Sequence, residues 1–536
     1  MAVLAELLNS PYVVQGAYVA LLAVFISAFW QDLADEIPHF RIPVVGRTWY
    51  DLFNKKARAR FTSGARELIR EGFAKGADIF QVMGQKPLVV LHPKFIDEIK
   101  NHPSLSFEGA TAKMFFENRI PGFEPFHQGN GNKVLVDMVR TKLTQSLGSL
   151  TIPLSQESAD VAKEMFPHPT VRHASQTKTK PPMLIGNAEW VSYNFAAKIP
   201  YVVARVSTRA FLGREVARNE DWIDISVNYA INAFNAAREL RQWPSILRPL
   251  VHNFLPSAQK LRKNLVLGRS IIDKELQRRE LIRQGKLPQD ESRQVDTLDW
   301  IDEISESLNR TVNVAHAQMA LSLAAIHTTS NLFTNIMYDL AAHPELMQPL
   351  RDEIRAVVAE DGCLKKTSLL KLKLMDSVMK ETQRLSPVSM VSLNRLALAE
   401  IPLSDGTVIP KGATLGVSAH VNHDESIYPD AGTYNGYRFY NKRQQPGNEQ
   451  RFQFVTTTTE SFGFGHGVHA CPGRFFAANE TKIFLIHLLL KYDWQLKEDR
   501  GRPANFEHGT EIITDPTVEL LFRSREPEID LAALGE

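Results

Sequence analysis

Cysteine is nearly missing from this chain: Cys363 and Cys471 are the only two among 536 residues. Two are too few for a disulfide framework or a cysteine-based zinc site, and the shortage points to a chain that faces a reducing compartment. There the two glycosylation-type triplets, beginning at Asn309 and Asn479, carry little weight. Neither sign of charge is in excess. The net charge is +2, and no Lys/Arg block is dense enough to serve as a nucleic-acid footprint. No internal repeat is found, and no glycine-rich module for a flavin or nicotinamide nucleotide. What remains, 44% hydrophobic and 23% charged, is the composition of an ordinary globular protein with a large core. Length alone suggests about three domains of roughly 150 residues each.

Two stretches lack something more specific. Leu7 to Gln31 contains no charged residue, and Tyr12 to Trp30 is long enough for a hydrocarbon core that needs about 20 residues. A cleaved signal peptide fits less well, because no basic segment precedes the apolar run and no small-residue cleavage site follows it. The expectation is an uncleaved membrane anchor over residues 1–36. Pro38 and Pro43 then hold an extended linker. Thr311 to His343 contains neither glycine nor proline and only one acid, Asp339. As a helix it would run roughly 50 Å at 1.5 Å per residue. His316, Gln318, Ser322, His327, Thr328, Asn331 and Asn335 make membrane insertion expensive, so it is expected to cross a soluble core. Elsewhere the pattern is mostly helical, with hairpins expected at Ala77–Pro93, around Asp405-Gly406, and over Glu511–Arg525.

Cys471 stands out because of its surroundings, "FGFGHGVHACPGRFFA", Phe462 to Ala477. Pro472 and the apolar stripe after Arg474 read as a helix beginning at the cysteine. A helix N-terminus favours negative charge and lowers a thiol pKa, and a thiolate is a metal ligand. Glycines at 463, 465, 467 and 473 leave room for backbone N–H groups near the sulfur and for a flat ligand. A small buried residue in a tight turn is the plainer alternative. Phe464, Gly467, Cys471 and Gly473 fall at Phe-x-x-Gly-x-x-x-Cys-x-Gly, and here the chain resembles the cytochrome P450 family of haem-thiolate monooxygenases.

That resemblance implies a mainly α fold with small β-sheets, one large unit over residues 37–536 behind a transmembrane helix, in place of the three domains. It makes Cys471 the axial ligand of a haem b iron. His469 stands where the family usually has an arginine contacting a haem propionate. Arg395 resembles another propionate contact, and Arg140 is the substitute for a Trp/Arg pair that is not found here. "ETQR" puts Glu381 and Arg384 on one helix face, and by family position they pair with Arg438. "AAIHTTS" aligns with the oxygen-activating motif, with Thr328 as the proton-delivering hydroxyl. Ala325 stands where the family has glycine and His327 where it has an acid, so a relay through His327 is expected. Ala324, Val391, Ser392, Phe115, Phe116 and Ile513 are expected to line the pocket.

The wording resembles fungal members near ent-kaurene oxidase and the indole-diterpene oxidases. It implies a haem monooxygenase of secondary metabolism acting on a terpenoid or meroterpenoid. Electrons would come from NADPH through a separate flavoprotein reductase, with the catalytic domain on the cytosolic side of the endoplasmic reticulum membrane. Two other readings stay open: desaturation, ring expansion or rearrangement of a polyketide or alkaloid at the same haem, and a membrane-tethered haem or lipid binder without turnover.

Overall fold

Asparagine and aspartate set where several long helices begin. The structure is a computed structural model that describes residues 12, 14–16, 18–19, 22–24, 37–48, 51, 54–84, 86–116, 119–127, 133–166, 190–244, 247–288, 293–498, 501–529 and 531. In it the side chains of Asn194, Asn219 and Asn313 accept hydrogen bonds from the N–H groups of Ala197, Trp222 and His316 at 3.0, 3.0 and 2.9 Å. Asp296 and Asp299 form a reciprocal capping box. Each cap satisfies a donor with no partner inside its helix.

The longer helices are α1 (Lys55–Ala74), α2 (Phe107–Met114), α3 (Leu147–Met165), α4 (Phe195–Phe211), α5 (Glu220–Leu240), α6 (Pro256–Arg283), α7 (Thr297–Leu308), α8 (Val314–Ala342), α9 (Met347–Asp361), α10 (Lys373–Leu385) and α11 (Arg474–Lys491). The strands are short: β1 (Val44–Val45), β2 (Ile79–Met83), β3 (Pro87–Leu91), β4 (Leu105–Ser106), β5 (Val191–Asn194), β6 (Val391–Ala397), β7 (Ile401–Pro402), β8 (Val408–Ile409), β9 (Thr414–Ser418), β10 (Tyr492–Leu496), β11 (Phe506–His508), β12 (Glu511–Ile513) and β13 (Glu519–Ser524). One mixed sheet has the order β1-β2-β3-β9-β6-β4, a second β10-β13-β5, and two pairs stand alone. The expected mainly α architecture with minor sheets is what forms.

Helix α8 spans 29 residues and packs against α4, α5, α6, α10 and α11. Its apolar side chains, Leu332, Phe333, Ile336, Met337 and Leu340 among them, belong to the main core cluster. The hairpins expected near Ala77–Pro93 and Asp405-Gly406 form as β2-β3 and β7-β8. The third expectation is corrected. Glu511–Arg525 does not fold on itself: β12 pairs with β11, whereas β13 pairs with β10 and β5. Leu520 and Phe522 are drawn into the main core beside Trp494, so the chain leaves one sheet for another between Ile513 and Glu519.

Of the anchor expected over residues 1–36, only residues 12, 14–16, 18–19 and 22–24 are described; they are helical and exposed. The rest lies outside the described residues. Among those that are described, no helix is long and apolar enough to cross a membrane.

A buried ionic lattice on α10 orders the segment leading to Cys471. Arg384 pairs bidentately with Glu381 at 2.8 Å through both its Nε and Nη2, and Arg438 donates to the same carboxylate at 2.9 Å. The spare guanidinium hydrogens go to the carbonyls of Ala431, Pro429, Asp430 and Thr433. One turn earlier, Asp376 accepts from Lys482 of α11 at 2.6 Å, from Arg443, and from the N–H of Phe454 at 2.7 Å. Lys380 donates to the carbonyls of Gln453 and Thr456 at 2.9 and 3.0 Å. These charges have partners on every side, as buried ions require.

Glu381→Ala leaves two buried guanidinium groups without their carboxylate and is expected to destabilise the fold by about 3–5 kcal/mol, read as a lowered midpoint in urea unfolding. A second expectation concerns Glu480 on α11, wholly enclosed. Burial pushes its carboxyl up to about 8, opposed by the Ser207 hydroxyl at 2.6 Å. The folded chain thus holds a proton that the unfolded chain releases near the ordinary carboxylate value of about 4.3. Stability from this group is complete below that value and is lost as pH rises through about 8. Glu480→Gln stays neutral, so its Tm relative to wild type is expected to rise between about pH 5 and about pH 9. A pH-independent difference would count against ionisation at this site.

Candidate functional site

Along the whole of α8 only Ala324 and Thr328 are exposed. They lie one turn apart at mid-length of a helix that is otherwise buried or half-buried, so their exposure is to an interior hollow. The Thr328 hydroxyl donates to the Ala324 carbonyl at 2.8 Å. That is the resting bond of a threonine with no other partner in the helix.

One turn further, Asn331 reaches across to the last hairpin. Its amide nitrogen donates to the Ile512 carbonyl at 3.3 Å and its amide oxygen accepts from the Thr514 N–H at 3.0 Å. The two bonds bracket Ile513, which is 43% exposed. Ile512 in turn donates to the Val388 carbonyl at 3.2 Å, and Val388 is 44% exposed. Asn335 and Asp339 continue the ladder to Arg502 at 2.7 and 2.5 Å. The sequence marked Asn331 and Asn335 only as polar residues of the long helix, and their bonds to the last hairpin and to Arg502 were not foreseen. An asparagine in a helix announces no partner, and its partners here are 181 and 183 residues away.

His327 points elsewhere. Its Nε2 lies 3.0 Å from the Val227 carbonyl on α5, so Nε2 carries the hydrogen and only Nδ1 remains as an acceptor. Burial holds its pKa below the ordinary histidine value, and the ring is neutral at pH 7.

The cysteine loop is set by backbone conformation. Cys471 donates its N–H to the Phe464 carbonyl at 2.8 Å, and Phe464 packs edge-on against Phe454 at 5.0 Å. Gly467 has φ of 75°, and a Cβ there would sit 2.6 Å from Asn101 Oδ1 and 2.7 Å from the Lys100 carbonyl. Only glycine is tolerated at that position. A Cβ on Gly473 would meet nothing nearer than Val139 at 3.8 Å, which leaves that side clear. The thiol direction differs from the expectation. Burial pushes Cys471 up, and the N–H groups of Gly473 and Arg474 together with the Arg474 charge oppose that rise without reversing it. Desolvation outweighs the helix end until a cation meets the sulfur.

Around the loop sits a cluster of cations. Burial holds His469 below its ordinary pKa, with Arg395, Arg140 and Lys133 adding to the effect and Glu108 opposing it. Arg140 donates to the Val468 carbonyl at 3.0 Å. Arg395 is buried, donates from Nη1 to the Asn394 carbonyl at 2.7 Å, and has no partner for Nη2 among the described residues. A buried guanidinium nitrogen without an acceptor calls for one. The carboxylate arms of a haem would supply that acceptor, and Arg395, Arg140 and Lys133 against the single Glu108 match two such arms. The residues present therefore fit the group.

The six expected lining residues divide. Ala324 and Ile513 face open space; Phe115, stacked on Phe126 at 3.7 Å, Phe116 and Val391 are packed in core clusters. Ser392 donates to the Phe462 carbonyl at 3.3 Å, tying β6 to the cysteine loop.

The cytochrome P450 family model matches residues 65–522. The cytochrome P450 monooxygenase calE of Penicillium decumbens is 38% identical over 516 residues, 95% of each chain. The cytochrome P450 monooxygenase ptmU of Penicillium ochrochloron is 40% identical over 486 residues, 90% of this chain and 91% of that one. A cytochrome P450 monooxygenase of Gibberella fujikuroi is 38% identical over 84% of this chain.

Asn331→Ala is expected to release the hairpin. The buried Thr514 N–H loses its acceptor, a loss of about 1–3 kcal/mol, and its hydrogen exchange should accelerate roughly tenfold or more while the β10-β13 amides stay protected. Unchanged exchange at Thr514 would show that the clamp is not holding Ile513.

Proposed function

Because the chain belongs to the cytochrome P450 family and is a haem-dependent monooxygenase, we propose that it oxygenates an apolar secondary metabolite, a terpenoid or meroterpenoid of a fungal pathway, with Cys471 as the iron ligand. The observation that carries this reading is the placement of Cys471 just before α11, in a loop fixed by its N–H bond to Phe464 and by Gly467, beside a buried Arg395 with an unanswered guanidinium nitrogen. Thiolate-held haem supplies the reduction of dioxygen and the oxygen transfer, with electrons from NADPH through a separate reductase.

The side chains divide the remaining work. Cys471 holds the iron, and Arg395, Arg140 and His469 hold the carboxylate arms. The Thr328 hydroxyl exchanges its bond to Ala324 for one into the hollow and hands on a proton there. His327 takes part only through Nδ1, because its other hydrogen is committed to Val227. Ala324, Val388 and Ile513 present apolar surface that orients a hydrocarbon framework and excludes water. Residues 1–36 anchor the chain in the endoplasmic reticulum membrane as a single pass, a reading supported by the uncharged run Leu7–Gln31. Residues 37–536 then form the catalytic unit on the cytosolic side.

A second reading, desaturation or rearrangement at the same haem, is favoured by one observation. The residue at the family's acid position is a neutral histidine bonded to a carbonyl. Isotopically labelled dioxygen separates the two, since a product without label would favour the second.

The substrate class is tested by titrating the oxidised protein with polycyclic terpenoids, alkaloids and polyketide amides and following the spin-state shift. A response to terpenoids alone supports the proposal; a response only to amides or polyketides rejects the substrate class and spares the haem assignment. Cys471→Ser is expected to lose the long-wavelength ferrous carbon-monoxide band of thiolate ligation. Thr328→Ala is expected to keep consuming NADPH while product formed per NADPH falls, and unchanged coupling would release Thr328 from its role.

A further inference from the structure

Arg241 follows the last turn of α5 and is a cation with too few partners. Its Nη2 donates to the Met114 carbonyl at 2.6 Å, the only side-chain hydrogen bond it makes among the described residues, where it forms no ion pair. Its guanidinium lies 5.9 Å from the centre of the Phe116 ring, and Arg248 lies 5.7 Å from that same ring. Burial, together with the charges of Arg248 and Arg238, lowers its pKa to about 10, and Glu511 is the one carboxylate opposing them. Arg241 is half-buried, so its remaining guanidinium hydrogens are open to a ligand.

Its position connects it to the hollow. Val227, Phe234 and Arg241 recur at seven-residue intervals, so Arg241 lies within about 40° of the Val227 face of α5. Val227 is the residue whose carbonyl meets His327, next to Thr328. Between them Phe234 is 38% exposed and meets Phe115 edge-on at 5.5 Å. Glu511 opens β12, the strand that carries Ile513. The arginine therefore stands beside the end of α2, at the close of α5, and within electrostatic reach of Glu511 on the strand that carries Ile513.

The side chains that would hold the carboxylate arms of the haem lie away from it. Their cluster sits at the other end of α2, where Arg395 lies 5.8 Å from the Phe107 ring. Phe107 and Met114 open and close α2, about 10 Å apart along its axis. Arg395 acts on His469 and both feel Glu108, whereas the charges that act on Arg241 are Arg248, Arg238 and Glu511.

We propose that Arg241 is the recognition group for a carboxylate carried by the substrate, so that the hollow takes apolar acids in preference to the corresponding neutral molecules. This deepens the monooxygenase reading and rests on it. An acid entering here would gain a charge-assisted, fork-shaped contact at one end while its apolar body lies against Phe234, Ile513 and Ala324.

The test uses haem-loaded enzyme and probes whose iron ligation does not depend on the natural substrate. Alkyl-tethered imidazoles of graded length, each made as the terminal carboxylic acid and as the terminal alcohol, are titrated while the Soret shift is followed. At one or more lengths the acid is expected to bind about tenfold tighter than the alcohol. That preference should vanish in Arg241→Gln and survive at least in part in Arg241→Lys, with parent imidazole binding all three proteins alike. Equal binding of acid and alcohol at every length overturns the proposal. So does an acid preference that persists in Arg241→Gln; if that variant also binds phosphatidylserine vesicles more weakly, the arginine belongs to a lipid contact instead. No iron-ligation spectrum with parent imidazole would sink the haem-thiolate reading itself, an outcome distinct from either of these.

Discussion

One buried carboxylate holds together the half of the molecule that presents Cys471. Glu381 is fully enclosed and shared by Arg384 and Arg438, whose remaining hydrogens fix the carbonyls of a loop with no regular structure of its own. A loop of this kind cannot be buried unless its polar backbone finds donors, and guanidinium groups supply several at once. The attraction matters less here than the geometry it imposes. Asp376 repeats the arrangement a turn away and ties α10 to α11, the helix that begins just after the cysteine. Both ends of the cysteine segment are thereby referred to α10.

The distribution of charge in the interior follows from what burial tolerates. Histidines 327, 420 and 487 sit in places where ionisation is disfavoured, and each is held neutral. Arginine does not have that option, because its guanidinium stays charged in any protein environment. Buried arginines must be answered by carbonyls, carboxylates or a ligand. Arg384 and Arg438 are answered within the chain, whereas Arg395 and the half-buried Arg241 are answered only in part. The incompletely answered pair stand at opposite ends of α2.

The parts legible in the sequence were those whose signal is local. The glycine spacing around Cys471, the long glycine-free run that became α8, and the Glu381/Arg384 repeat are all visible within a few turns of chain. Other Glu/Arg repeats show the limit: Glu67 and Arg70 form the exposed pair that spacing alone suggests, whereas Glu275 is buried and reaches on to Arg279. The strands after Glu511 were legible as strands, but alternation of side chains carries no address for a partner. Asn331 was silent for the same reason. The thiol of Cys471 was misread in direction because helix-end electrostatics is a local effect and burial is a tertiary one.

The strands that wall the hollow are synthesised after the helices that border it. Asn335 and Asp339 of α8 are buried beneath Arg502, and Thr514 closes over Asn331, so the interior is walled only when residues beyond 500 have been synthesised. Until then the polar edge of α8 lies open to water and the hollow lacks one side. The nascent protein therefore passes through a stage in which its longest helix is made but has no finished space to border.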